Sequence, residues 1–332
     1  MKNEILSRLK GIRLLDNSEE TKFISTGCYA LNKIISGDYH RGLPESHLIQ
    51  IRGESSTGKT LFMTTMLGSA QEAGWFTVLL DAENTFSKEF SLKLGLNSEA
   101  LIYSNPTSLE EAFDYIQDII KKIREEDKGT PILIALDSLA VLQTKEESDR
   151  ETVGENSNTD GARRALITGG LLRKITPILK ANKTTLIIIN QLRSKINAGP
   201  YSDPTVNASG GRSLEFYLSV DIKLVSNKTS DIIRDDKTKQ PLGIQGDIQI
   251  KKNKVGIPFK ECEFRVLFDK GLDPYFGLLD SLVADGLVTK SDAGRLSVGN
   301  TKFARDDFEA LLIDKAAQDF AMIRDKLGIK LP

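Results

Sequence analysis

Four apolar runs set the rhythm of the chain: Leu48 to Ile51, Phe76 to Leu80, Ile132 to Leu136 and Thr185 to Ile189. Each is too short for a helix and reads as a buried strand. Helical patterns stand between them: Thr60 to Ala73, closed by Gly74, then Leu109 to Glu125 and Arg163 to Ala181. Apolar strands alternating with helices predict an α/β fold with a mostly parallel sheet covered on both faces. After Gly210-Gly211 the period changes. Asp221 to Val225, Asp247 to Lys252 and Glu263 to Phe268 alternate apolar with polar residues, as half-exposed antiparallel strands extending the sheet do. The charged stretch Asn227 to Gln240 reads as a solvated hairpin loop. Leu278, Leu279, Leu282 and Val283, then Phe308, Leu311, Leu312, Ala316, Phe320, Ile323 and Leu327, predict a small helical C-terminal lobe. At the other end Ile5, Leu9 and Ile12 predict a short amphipathic helix from Lys2 to Leu15, its apolar face covered by the chain's own core or by a neighbouring subunit. The expected division is 1–22 as N-terminal helix and linker, 23–270 as the core and 271–332 as the small lobe.

The candidate chemistry gathers at strand ends. Gly53-Glu54-Ser55-Ser56-Thr57-Gly58-Lys59-Thr60 fits G-x-x-x-x-G-K-[ST] and lies between a strand and a helix. Gly53 and Gly58 allow a tight turn whose N–H groups form an anion cradle at the helix N-terminus. Lys59 would reach the β- and γ-phosphates of a nucleotide, and Thr60 would ligate Mg²⁺. Asp137 closes the third strand as a Walker B acid does, holding Mg²⁺ through water. Asp81, Glu83, Asn190 and Gln191 lie at or just past the ends of the second and fourth strands, where open α/β sheets gather ligands. Glu83 is placed to polarise an attacking water.

Composition narrows the class without choosing a partner. The chain has 332 residues, with 45 Lys plus Arg against 46 Asp plus Glu and a net charge of -1. Binding of a polyanion must therefore rest on local clusters. One such cluster is Arg163, Arg164, Arg173, Lys174, Arg193, Lys195 and Arg212, around two long segments without periodicity, Thr144 to Asp160 and Ser194 to Gly210. Cys28 and Cys262 match no metal-ligand spacing and suit a reducing cytoplasm. The first fifteen residues hold no apolar signal core, and no run approaches a membrane span. A cytoplasmic protein without membrane partners is expected.

Seven ordered motifs carry a specific resemblance. They are Ile24-Ser25-Thr26-Gly27, the phosphate loop, Asp81-Ala82-Glu83, Leu136-Asp137-Ser138-Leu139-Ala140, Ile189-Asn190-Gln191-Leu192-Arg193, Phe216-Tyr217 and the run Lys252 to Lys260. In order and spacing the chain resembles the bacterial RecA recombinase family from about Ile24 to Asp285. The resemblance implies a RecA-like P-loop ATPase core using ATP and Mg²⁺. It implies a helical filament on single-stranded DNA that pairs with a homologous duplex and exchanges strands. Lys59 and Thr60 match the phosphate and Mg²⁺ ligands, Asp137 the Walker B acid, Glu83 the water-activating carboxylate and Gln191 the γ-phosphate sensor. Phe90 falls where a Tyr stacks on adenine. Lys252 and Lys254 match a pair that reaches the neighbouring protomer's γ-phosphate. The two long segments match the DNA-facing loops, with Tyr201 the only aromatic of the second.

The chain also departs from the family. Ser55 replaces the acid usual at the third position of the phosphate loop, with Glu54 one place earlier, and Arg163 and Arg164 fall out of register with the DNA-contacting Arg. The acidic tail usual in the family is not found before Leu331-Pro332. Such drift suits a divergent member, as a phage-encoded one would be. Two other readings use the same core: a hexameric DNA motor of helicase or branch-migration type, and a nucleotide-switched assembly ATPase that does not touch DNA.

Overall fold

Successive side chains of a strand point to opposite faces, and here both faces are buried. The computed structural model describes residues 21–148, 160–194, 205–207, 210–226, 231–291 and 293–329. A two-residue pair, β1 (Phe23–Ile24) and β2 (Leu43–Pro44), precedes the sheet and flanks helix α1 (Tyr29–Ser36). The parallel strands are β3 (Leu48–Gly53), β4 (Phe76–Asp81), β5 (Leu101–Ser104), β6 (Ile132–Asp137), β7 (Thr184–Ser194) and, beyond the short β8 (Thr205–Asn207), β9 (Val220–Val225). Antiparallel strands follow: β10 (Ile232–Arg234), β11 (Pro241–Asn253), β12 (Glu261–Leu267) and β13 (Gly271–Leu272). The order across the sheet is β13-β12-β11-β9-β3-β7-β6-β4-β5, with β10 on β11 and β8 on β7. The expected mostly parallel sheet with an antiparallel extension is what forms.

The helices sort by face. Ile49, Ile51, Leu79, Leu133, Ala135, Ile187 and Ile189 join one core with α1 and with α2 (Lys59–Glu72), through Phe62, Met63, Met66 and Leu67. Their neighbours in the same strands, Val78, Leu80, Ile134, Leu136, Leu186 and Ile188, join the opposite core. That core takes Phe113, Ile116 and Ile120 of α4 (Leu109–Glu126) and Leu172, Ile175 and Leu179 of α6 (Asp160–Ala181). A third core gathers Leu278, Leu282, Phe308, Leu312, Phe320, Ile323 and Leu327 with Tyr39 of the main body.

Several expectations change. The sequence predicts a fourth strand ending at Ile189, but it runs on to Ser194, because β3 pairs with Asn190 and Gln191 and β8 pairs back on Leu192 to Ser194. Asn190 and Gln191 therefore sit inside a strand, and the second long segment contains strand structure. In the first, Lys145–Ser148 forms a single turn, α5, and Asp160 already belongs to α6. The supposed hairpin loop contains β10, held to β11. Strand β5 and the short α3 (Lys88–Lys93) were not foreseen. After the short α7 (Gly211–Tyr217), the C-terminal region is not wholly helical. Its helices α8 (Leu278–Ala284), α9 (Phe308–Ile313) and α10 (Ala321–Lys326) pack with a sheet of β14 (Thr289–Lys290), β15 (Leu296–Val298) and β16 (Thr301–Phe303). The expected helix from Lys2 to Leu15 lies outside the described residues. Among the described residues no helix is long and apolar enough to cross a membrane.

Candidate active site

The phosphate loop leaves β3 at Gly53 and enters α2 at Lys59. Gly53 abuts the backbone of β9: a Cβ there would lie 2.5 Å from Thr57 Oγ1 and 2.9 Å from Leu224 O. Gly58 caps α2 at φ 87°, a left-handed conformation that favours glycine. The Thr57 hydroxyl and the Lys59 ammonium both donate to Glu54 O, at 3.0 and 2.6 Å, which curls the loop over the lysine. Lys59 is buried at 8% exposure.

Register then brings the acids to the loop. Gly53 stands level with Gln191 across β3 and β7, and Asp81 with Asp137 across β4 and β6. The Thr60 hydroxyl donates to Asp137 Oδ2 at 2.7 Å. Burial pushes the Asp137 carboxyl up to about 6; Glu83 and Asp81 add to this, while the Thr60 hydroxyl and Lys59 oppose it. A carboxylate so crowded by negative charge favours a bound cation. The N–H groups of Ala82 and Glu83 donate to Asp137 O at 2.7 and 3.3 Å, so the Glu83 loop rests on the Walker-B-like strand. Ser138 Oγ donates to Glu83 Oε1 at 2.5 Å, and Gln191 Nε2 lies 3.4 Å from the same oxygen. The Asp137-Ser138 peptide is cis.

Lys59, Thr60, Glu83, Asp137 and Gln191 line one cavity of about 700 Å³, with Ser55, Ser56, Thr57 and Gly58. Its residues fit a nucleoside triphosphate with Mg²⁺: an N-terminal helix turn and an ammonium for phosphate, a hydroxyl and a carboxylate for the metal. The opposite wall was not foreseen. It is apolar, from Ile232 and Pro241 of the β10–β11 hairpin, Ile244 and Phe268. The only signal in the sequence was Ile232-Ile233 inside a charged stretch. Ser138, also missed, sits in plain view beside Asp137. Phe90 lies on α3 and does not line this cavity.

The described residues place part of the cationic cluster. Arg163 is on α6, as its helical pattern predicts, and pairs with Glu146 of α5 at 2.7 Å. Arg164 and Arg173 are on the same helix, and Arg173 Nε donates to the Tyr217 hydroxyl at 3.3 Å. Arg193 is the penultimate residue of β7 and Arg212 the second of α7, while Lys195 and Tyr201 lie outside the described residues. Lys252 Nζ donates to Glu215 O and Phe216 O, at 2.6 and 3.2 Å, at the C-terminal turn of α7. Strand β11 ends at Asn253, one residue before Lys254, whose N–H donates to Ser219 O at 2.8 Å.

Comparison with known proteins agrees with this geometry. The profile of the RecA N-terminal domain matches residues 10–273. Protein RecA of Streptomyces venezuelae is 32% identical over 323 residues, 96% of this chain and 80% of that protein. Protein RecA of Helicobacter pylori strain P12 is 32% identical over 324 residues, covering 96% and 87%. Protein RecA of Streptomyces rimosus is 32% identical over 292 residues, covering 87% and 73%. With the phosphate loop, the strand-end acids and the sheet order in place, the chain belongs to the RecA family.

Proposed function

We propose that this chain is a DNA-dependent ATPase that forms a filament on single-stranded DNA, pairs it with homologous duplex and exchanges strands. Family membership supports recombination, and nothing in the relatives favours the hexameric motor or the DNA-independent switch. The observation that carries the ATPase reading is the convergence of Lys59, Thr60, Glu83, Asp137 and Gln191 on one cavity. Lys59 and the loop N–H groups bind the β- and γ-phosphates. Thr60 and Asp137 would hold Mg²⁺, which when bound neutralises charge on the phosphate oxygens. Glu83, oriented by Ser138, accepts a proton from the water that attacks the γ-phosphate, and Gln191 senses whether that phosphate is present. Phe90 remains the proposed adenine-stacking residue.

Contact with DNA is assigned to the ends of the two long segments and to Arg163, Arg164, Arg173, Arg193, Lys195, Tyr201 and Arg212. Self-association is supported by exposed apolar side chains beside the Lys252 and Lys254 pair: Phe216, Ile257 and Phe259 are 73%, 64% and 78% exposed. Residues 23–270 are read as the ATPase core and 271–332 as a lobe; the third hydrophobic core supports a lobe from Leu278 on, while β13 (Gly271–Leu272) still belongs to the main sheet.

Negative-stain imaging with single-stranded DNA and a non-hydrolysable ATP analogue tests the assembly. Helical filaments are expected; closed rings would favour the motor, and hydrolysis indifferent to DNA would favour the switch. Glu83→Gln tests the chemistry: nucleotide stays bound while turnover falls by ~10²-fold or more. Unchanged turnover would remove Glu83 from its role.

A further inference from the structure

We infer that Tyr103 and Asn105, at the end of the outermost parallel strand β5, are positioning residues for Glu83. The inference rests on Glu83 being the water-activating carboxylate. Glu83 lies in a short loop, Asp81 to Phe86, between the end of β4 and α3. A carboxylate in a connection is precise only if its backbone is fastened, because a misplacement of about 1 Å can cost ~10²-fold in rate.

On the inner side the Ala82 and Glu83 N–H groups donate to Asp137 O. The outer side is held by Tyr103 of β5 and by Asn105, the residue that follows the strand. The Tyr103 hydroxyl donates to Asp81 Oδ2 at 3.0 Å, and the same oxygen accepts the Phe86 N–H at 2.9 Å. One buried carboxylate oxygen, on a residue 2% exposed, thus ties both ends of the loop to β5. The Tyr103 ring lies 5.6 Å from that of Phe86, centroid to centroid. Asn105 Nδ2 reaches Asp81 O at 3.0 Å, Asn84 Oδ1 at 3.1 Å and the Tyr103 hydroxyl at 2.8 Å. Asn84 follows Glu83 directly and sits at φ 54°, a left-handed conformation that asparagine tolerates but few other side chains do. The Asn105 amide therefore holds both the carbonyl of Asp81 and the side chain of the left-handed residue next to Glu83. Tyr103 and Asn105 do not line the nucleotide cavity, and act on the chemistry only through Glu83.

The test is steady-state DNA-stimulated ATP hydrolysis by Tyr103→Phe and Asn105→Ala, with nucleotide affinity measured separately. Tyr103→Phe keeps the ring on Phe86 and removes only the hydroxyl, so it remains informative if Asn105→Ala folds poorly. Each is expected to lower kcat by about tenfold, the worth of a lost hydrogen bond expressed in a barrier. KM and nucleotide affinity should stay within about twofold of the parent, since the cradle is intact. The decisive readout is the same substitution made in the Glu83→Gln background, under single-turnover conditions. Residues acting through Glu83 should have no further effect there. Normal kcat in both single variants, or an undiminished loss in the Glu83→Gln background, would overturn the inference. If Glu83→Gln itself turned over normally, the role of Glu83 would fall first and the inference with it. A slow Glu83→Gln beside normal Tyr103→Phe and Asn105→Ala would remove only the positioning role.

Discussion

Lys59 shows how far single-residue chemistry carries the site. Its ammonium is buried and drawn onto Glu54 O, so a bound phosphate would meet a cation already held in place. Lys59→Ala removes that cation and leaves the backbone cradle. Hydrolysis should be abolished and nucleotide affinity weakened, as measured by ATP turnover and by equilibrium binding of a fluorescent nucleotide; hydrolysis at the parent rate would contradict the assignment. A second buried charge sits one residue before the loop. Arg52 and Asp221 form a two-point ion pair, with Nε to Oδ1 at 2.9 Å and Nη2 to Oδ2 at 2.8 Å, across β3 and β9. Such a pair adds little over a well-packed apolar one, but breaking it strands a buried charge. Asp221→Ala should therefore lower stability in urea unfolding by about 3 kcal/mol, while Asp221→Asn, which keeps an acceptor, should cost less.

At the scale of elements, α4 illustrates a helix start written in local chemistry. Ser108 Oγ accepts the Glu111 N–H at 3.2 Å, and Glu111 Oε2 reaches back to the Thr107 N–H at 2.7 Å, a variant of the capping box. Ser108→Ala should cost about 1 kcal/mol. The Glu111 carboxyl is lowered from 4.5 to about 2, first by the Tyr115 hydroxyl, then by the Thr107 N–H and hydroxyl. A folded value below the unfolded one means that the stabilisation is complete above the unfolded pKa and is lost as pH falls toward the folded one. Thermal unfolding of Glu111→Gln against the parent should show a gap at neutral pH that narrows between about pH 4.5 and 2. A gap independent of pH would point to packing rather than charge. Elements also explain what was misplaced: β5 and β10 are short and lack a run of alternating residues, so only their partners β4 and β11 make them strands.

For the whole molecule, the question is whether one protomer completes another's site. Lys252 is engaged with the carbonyl end of α7, whose N-terminus follows directly on the second long segment. If Lys252 and Lys254 supply positive charge to a neighbour's γ-phosphate, Lys252→Ala/Lys254→Ala should bind nucleotide as a monomer yet hydrolyse poorly on saturating DNA. Mixed with Lys59→Ala, it should recover part of its activity, because its intact phosphate loop can then face intact lysines. Full DNA-stimulated turnover by the double lysine variant alone would refute the arrangement.

The sequence by itself determined the parts that depend on local order: the phosphate loop between strand and helix, the apolar strands ending in Asp81 and Asp137, and hence a parallel sheet with its chemistry at the carboxyl ends. Glycine at 53 and 58 and the Gly-Lys-Thr spacing are readable because their meaning lies within eight residues of chain. Other features were decided by pairing between distant segments. Strand β7 gains Leu192 to Ser194 where β8 folds back on it, and parallel pairing with β3 puts Gln191 inside the strand beside Gly53. The apolar wall of Ile232, Pro241, Ile244 and Phe268 comes from segments with no shared pattern. The hold of Tyr103 and Asn105 on the Glu83 loop likewise needs β5 to lie against β4. Hydrogen-bond register between strands carries this information, and no periodicity within one segment records which residue of another will stand opposite it.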